Sequence, residues 1–180
     1  GEEHRACREA AALFDQSSFA KFEIGGREAA GFLSWICAGR VERPVGRVCY
    51  TQLLNDRGGI EADLTVVRLA EDRFYVVTGT GFATRDADWI RCQIPDGDHI
   101  HFRDMTAARA VLSLMGPRSR EILQALVAED IAHAAFPFGR ARELHIDGAP
   151  CLALRVSYVG ELGWELHIPA ECALSVFEAL

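Results

Sequence analysis

A chain of 180 residues is long enough for one domain or two small lobes, and a hydrophobic fraction of 49% supplies a packed interior, which excludes a disordered chain. The 19 basic and 26 acidic residues leave a net charge of −7, which excludes a general electrostatic grip on nucleic acid or anionic lipid, though not a local basic funnel for an anion. No apolar run approaches the roughly 20 residues a membrane span needs, and the acidic start GEEHRACREAAALF does not read as a signal peptide, so a cytoplasmic protein is expected.

In chain order, residues 2–14 predict a short helix, because Ala6, Ala10, Leu13 and Phe14 recur at helical spacing. The alternation in SFAKFEIGG predicts a strand that ends at Gly25-Gly26. REAAGFLSWICAGR brings Ala29, Phe32, Leu33 and Ile36 onto one helical face, stopped by Gly39, and Trp35 reads as a further core position. Residues 46–54 and 59–69 predict two strands around the turn NDRGG, and EDRFYVVTGT predicts a third. TRDADWIRCQI predicts a helix with Trp89 in the core, followed by strands over 99–102 and 109–115. GPRSREILQAL opens a helix with Pro117 as an early helical residue. Strands over 143–146 and 151–158 come next, then SYVGELGWELHIP and a last helix from about Ala170. Strands and helices mixed with several hairpins predict an α+β fold of antiparallel sheets with packed helices, and argue against a parallel doubly wound sheet. The last helix reaches Leu180 without a cap, so the chain is expected to be the N-terminal part of a longer domain.

No G-x-G-x-x-G or Walker A sequence is present, so no dinucleotide or P-loop site is expected by motif. Cysteines 7, 37, 49, 92, 151 and 172 form no C-x-x-C pair and have no histidines at zinc-finger spacing. They read as reduced thiols, with neither a metal site nor a disulfide framework. His99 and His101 lack a third ligand nearby and read as surface residues.

Two segments carry side chains that plain secondary structure does not require. In CYTQLLNDRGGIEADLTVVRL, a turn centred between Asp56 and Arg57 sets Tyr50 opposite Asp63, with Cβ atoms roughly 4.5–5.5 Å apart, and a bulge at Gly58-Gly59 would slip this register by one. Asp63 shares a strand face with Thr65, Val67 and Leu69, and both faces become apolar beyond it. A carboxylate at the border of a buried layer is costly unless it is hydrogen-bonded or useful. The plainer reading has it accept backbone amides near the strand entrance. In SYVGELGWELHIP the turn falls on Gly160 and Gly163, Tyr158 ends the first strand, and Glu161 is expected to hold turn amides. Glu165 alternates with Gly163 and His167 opposite Trp164, Leu166 and Ile168, a pattern that by spacing alone reads as a solvent-facing polar edge over a core tryptophan.

YTQLLNDRGGIEADLTV together with RVSYVGELGWELHIP resembles the folate-binding module shared by the glycine-cleavage T-protein (aminomethyltransferase) and the C-terminal half of sarcosine and dimethylglycine dehydrogenases. LMGPRSREIL and FDQSSFAKFEIGG resemble further blocks of that family, in family order over nearly the whole chain. The resemblance implies a T-protein-like folate-binding module, incomplete in this chain, that holds tetrahydrofolate in a central cavity and passes it a one-carbon unit. It implies Asp63 as the catalytic carboxylate beside the reactive folate nitrogens. Tyr50, Thr65, Tyr158 and Glu165 become cofactor-binding residues, with Tyr158 lining the pterin slot and Glu165 gripping the aminopyrimidine edge. The residue types suit these roles. A pterin edge offers adjacent N–H donors that a carboxylate accepts in parallel, and aromatic rings cover its flat faces. A carboxylate near the nucleophilic nitrogen takes a proton or stabilises the iminium as the carbon transfers.

The sequence also departs from the family pattern. Ala62 stands where the family has the first Asp of a doublet, Ser17-Ser18-Phe19 stands for Ser-His-Met, and Val159 and Trp164 replace Thr and Tyr. These differences resemble the sarcosine/dimethylglycine dehydrogenase branch. There an upstream FAD-bearing domain oxidises the amine, and the folate module captures the released carbon as methylenetetrahydrofolate. The resemblance thus implies FAD only in an upstream flavin domain outside this chain, and small-molecule folate as the ligand. The alternatives are a T-protein of the glycine cleavage system and a non-catalytic folate-binding regulator. Arg118 to Arg120, at a predicted helix start, offer a place for folate glutamates, against the plainer reading of solvated charge.

Overall fold

The computed structural model describes residues 1–97 and 99–180. In chain order the elements are α1 (Glu2–Glu9), β1 (Ala12–Asp15), β2 (Ala20–Gly25), α2 (Ala29–Ile36), β3 (Val48–Leu54), β4 (Ile60–Ala70), β5 (Arg73–Thr78), α3 (Ala83–Gln93), β6 (His101–Asp104), β7 (Arg109–Met115), α4 (Ser119–Leu126), β8 (Ala141–Ile146), β9 (Ala149–Leu154), β10 (Gly163–Pro169) and α5 (Ala173–Ala179). The chain divides into two compact units, Phe19–Thr106 and the joined segments Gly1–Ser18 and Ala107–Leu180. Each carries its own five-stranded antiparallel sheet and its own hydrophobic core, so the α+β expectation holds.

The unit Phe19–Thr106 has strand order β3-β4-β5-β2-β6. Period-two patterning turns Leu64 and Val66 of β4, Phe74 and Val76 of β5 and Phe22 and Ile24 of β2 into one core. The helix α2 seals it with the four residues its spacing singled out, Ala29, Phe32, Leu33 and Ile36, all buried. Burying each of the three larger side chains is worth about 1.5–3 kcal/mol. Trp35 does not join them: it is 63% exposed, because an eight-residue helix with that stripe inward turns position 35 away from the sheet. Trp89 is half-buried and packs on the edge of the core.

The second unit has strand order β1-β7-β10-β9-β8. The central strand β10 pairs with β7 along its whole length, from Gly163 opposite Met115 to Pro169 opposite Arg109, and with β9 through Glu165 to His167. Its core gathers Leu123 of α4, Phe136, Ile146 and the fully buried Trp164, whose ring meets Phe136 edge-on with centroids 6.3 Å apart. The two glycines of SYVGELGWELHIP do different things. Gly160 adopts a φ of +81°, a left-handed turn conformation. A Cβ at Gly163 would stand 2.6 Å from the Leu114 carbonyl oxygen, so that residue is glycine because two strands approach closely there.

Several expected boundaries move, three of them with a reason visible in the structure. The first helix stops at Glu9, and Leu13 and Phe14 lie in β1, where Leu13 pairs with Leu114: the ladder offered by β7 outweighs a helical spacing only four residues strong. Pro117 precedes α4 in a turn instead of opening the helix. Strand β9 ends at Leu154, not at Tyr158: the Arg155 N–H still donates in register to the Arg140 carbonyl, but the Arg155 carbonyl takes the N–H of Gly139 instead of Arg140, and the regular ladder stops there.

Candidate functional site

The hairpin β3–β4 positions Tyr50, Asp63 and Thr65, all in the unit Phe19–Thr106. The side chain of Asn55 builds its turn. Its Oδ1 accepts from the N–H groups of Arg57 (3.0 Å) and Gly59 (2.9 Å), while Nδ2 donates to Glu61 Oε1 at 2.7 Å. A register shift between Leu53 and Leu54 follows, so Tyr50 faces Thr65 and Gln52 faces Asp63. The expected pairing of Tyr50 directly with Asp63 is therefore corrected by two positions. The shift is even, which keeps every side chain on its expected face, and the diagonal is within reach of a tyrosine. The Tyr50 hydroxyl donates to Asp63 Oδ2 at 2.7 Å.

Asp63 is exposed, as is Tyr50 at 66%. Asp63 does stand at the border of the buried layer, but the expectation that backbone amides hold it does not stand. Burial begins one residue later, at Leu64, and the partner is a phenol. One donor occupies Oδ2, so an exposed carboxylate, held in place, keeps acceptor capacity for N–H groups of a ligand or for a proton. Next to it, Arg85 of α3 donates to both the carboxylate and the carbonyl oxygen of Glu61, bracing β4 from the helix. Thr65 is half-buried directly across from Tyr50.

Glu165 and Tyr158 belong to the other unit, and the structure treats them differently. Glu165 sits mid-strand in β10, its side chain only 15% exposed, 3.6 Å from His167 Nε2 and opposite Ser113. The Ser113 hydroxyl donates to Gln16 Oε1 at 2.9 Å. His167 is fully buried, so this face is not the solvent-facing edge that spacing suggested. Tyr158 lies in the irregular segment after β9 and is 89% exposed, so it lines no slot within its own unit. Glu161 takes Arg8 as its partner at 2.5 Å in place of turn amides. Trp164 is core, flanked by the guanidinium carbons of Arg120 and Arg155, each 5.7 Å from its ring centre. Arg118 pairs with Glu121 three residues on, which accounts for its charge on the protein surface.

Burial shapes the remaining chemistry. The Cys151 and Cys37 thiols are each pushed up to about 12, chiefly by desolvation, which removes them as nucleophiles. Desolvation, with Arg120 nearby, pulls the Arg155 guanidinium below its ordinary value. Its Nη1 meets the Phe136 carbonyl at 2.5 Å. Among the described residues, no group of three or more His, Cys, Asp or Glu side chains is placed to hold a metal ion, and no helix is long and apolar enough to cross a membrane.

Several polar residues escaped the sequence reading. Lys21 of β2 is fully buried, and so is the pair Thr78–Asp86, in which the Thr78 hydroxyl donates to Asp86 Oδ2 at 2.6 Å. The one signal for Lys21 was a cation inside the alternation of SFAKFEIGG. His167 carried a signal in sharing a face with Glu165.

The whole chain has known relatives. It is 40% identical over 179 residues to 4-methylaminobutanoate oxidase (formaldehyde-forming) of Paenarthrobacter nicotinovorans, covering 99% of this chain and 22% of that protein. Identity to the mitochondrial sarcosine dehydrogenase of Mus musculus is 38% over 189 residues, covering 97% and 21%. The chain thus spans about a fifth of the length of these curated relatives. Among solved structures, the aminomethyltransferase T of the glycine cleavage system from Bartonella henselae superposes with a TM-score of 0.83 at 30% identity, over 99% of this chain and 47% of that one. The GCVT N-terminal domain family matches residues 1–180, and the chain belongs to that family.

Proposed function

We propose that the chain is the N-terminal part of a tetrahydrofolate-binding, one-carbon transfer domain of a sarcosine/dimethylglycine dehydrogenase-like flavoenzyme. The observation that carries the proposal is the exposed Tyr50–Asp63 pair, a carboxylate steadied by a phenol on the hairpin where the family motif lies. The likeness to an amine oxidase and to sarcosine dehydrogenase supports the branch, as does Ala62 beside Asp63. FAD is then expected in a separate upstream domain of the full-length protein.

The residues fit the ligand in part. Asp63 and the nearly buried Glu165 are carboxylates able to accept from N–H donors, whereas Tyr158 stands exposed and covers nothing in its unit. Tetrahydrofolate supplies the nucleophilic nitrogens that take the one-carbon unit. In this reading Asp63 takes the proton given up as the carbon transfers, while the Tyr50 hydroxyl fixes Oδ2 and leaves the carboxylate one favoured orientation. Thr65 stands directly across the strand pair from Tyr50.

The test uses the full-length protein. Asp63→Asn keeps the shape and loses the proton acceptor, so one-carbon transfer to tetrahydrofolate is expected to fall about 100-fold or more while tetrahydrofolate affinity changes little. Transfer at the wild-type rate would sink the assignment. A second reading, a T-protein of the glycine cleavage system, is favoured by the superposition on that enzyme. It requires transfer from an aminomethyl-lipoyl carrier protein by a protein without flavin, so that assay and the flavin spectrum separate the two.

A further inference from the structure

A cleft of about 310 Å³ opens between α2, α3 and the tip of the β3–β4 hairpin, wholly within the unit Phe19–Thr106. Trp35 and Trp89 line it from the two helices, with Asp56 at the hairpin tip and Gln93 at the end of α3. Tyr50, Asp63 and Thr65 are not part of it. Its size is that of about ten waters, at the low end for small-molecule sites.

Its chemistry is one-sided. Among the described residues Asp56 is the only charged one in its lining, and no Lys, Arg or His reaches it. Asn55 also borders it, but its amide is spent on the turn and on Glu61. The side chains of Asp56 and Gln93, and both indole N–H groups, have no hydrogen-bond or ion-pair partner among the described residues. Trp35 is 63% exposed on the face of α2 that turns away from the core, so packing gives no reason for a tryptophan there. Two indoles attract a cation through their ring faces, tryptophan being the strongest of the aromatic side chains in this, and one carboxylate supplies the opposing charge. An anion would meet Asp56 with no counter-charge, and a neutral apolar ligand would leave that carboxylate without a partner.

We infer that this cleft binds a small organic cation with an apolar body, a methylated or otherwise alkylated ammonium. The indoles of Trp35 and Trp89 cover the alkyl groups, Asp56 balances the charge, and the Gln93 amide is left for a polar substituent. The inference does not rest on the folate reading, since it concerns different residues.

The probe is choline, followed on the intact protein by saturation transfer to its methyl protons at constant ionic strength. Its uncharged isostere 3,3-dimethylbutan-1-ol serves as the control. Saturable binding in the millimolar range is expected, with the isostere about tenfold weaker. Trp35→Ala and Asp56→Asn alter exposed positions and are each expected to weaken choline about tenfold while leaving the melting curve in place. No saturable transfer to choline in the intact wild-type protein overturns the inference, and so does equal binding of the alcohol. Undiminished choline binding in Trp35→Ala overturns it as well.

Discussion

The hydroxyl of Tyr50 reaches Asp63 along a diagonal of the strand pair, and because both side chains are exposed, their hydrogen bond contributes little to folding. Tyr50→Phe is therefore expected to leave stability within about 0.5 kcal/mol in urea unfolding. If the proposed role holds, the same variant lowers one-carbon transfer roughly tenfold, since Asp63 then samples other rotamers. Gly163 behaves in the opposite way. Any Cβ there meets the Leu114 carbonyl, which cannot move without opening the β7–β10 ladder, and the buried Met115 side chain, which must repack. Gly163→Ala is expected to cost about 1–3 kcal/mol, read as a lower urea midpoint. Gly160→Ala meets no crowding, and its cost comes only from the left-handed φ, about 1 kcal/mol. A larger loss at position 160 than at 163 would show that the turn, and not the strand contact, makes this motif rich in glycine.

At the scale of elements, turns decide what the strands present. The Asn55 amide organises the β3–β4 turn and displaces the register from the one a simple two-residue turn gives. Asn55→Ala removes three side-chain hydrogen bonds and is expected to cost about 1–3 kcal/mol, with Asp63 and Tyr50 losing their relative position. Where β6 ends, Asp104 accepts from the Thr106 N–H at 2.8 Å, and bonding to Thr106, its hydroxyl foremost, holds the carboxyl below its ordinary value of 3.8. Folding thus favours the ionised form: Asp104 adds stability above about pH 3.8, which is lost as the pH falls through the lower folded value. Unfolding midpoints measured against pH should show that acid-side loss in the wild type and a flatter acid limb in Asp104→Asn. Equal slopes in the two would remove the turn from the account.

At the scale of the molecule, two separately cored units share the cysteines without pairing them. Cys37 and Cys151 lie one in each core with their thiols pushed up to about 12, while Cys92 is exposed on α3. Iodoacetamide at mildly alkaline pH is expected to label Cys92 in the native protein and to reach Cys37 and Cys151 only under denaturant, as read by peptide mass spectrometry. Because the two cores are separate, the rates of denaturant-dependent labelling at these two thiols report on each unit individually. Native labelling of Cys151 at a rate comparable with Cys92 would contradict the packing of β9.

The α+β class, the inward stripe of α2 and the bounds of β7 were legible in the order of residues, because each depends on periodicity within one segment. So was the strand face shared by Asp63 and Thr65, since alternation survives any even change of register. The register of β3 against β4 was not legible, because an amide three bonds from the backbone at Asn55 sets it. Nor was the fate of single side chains. Leu13 and Phe14 obey the ladder of a strand about a hundred residues away in sequence, Trp35 faces out because the stripe that meets the sheet is Ala29, Phe32, Leu33 and Ile36, and His167 is buried by packing that no spacing records. Local pattern decides which elements form and which faces are apolar. Only tertiary pairing decides which carboxylate meets which hydroxyl, because that depends on contacts between segments far apart in the chain.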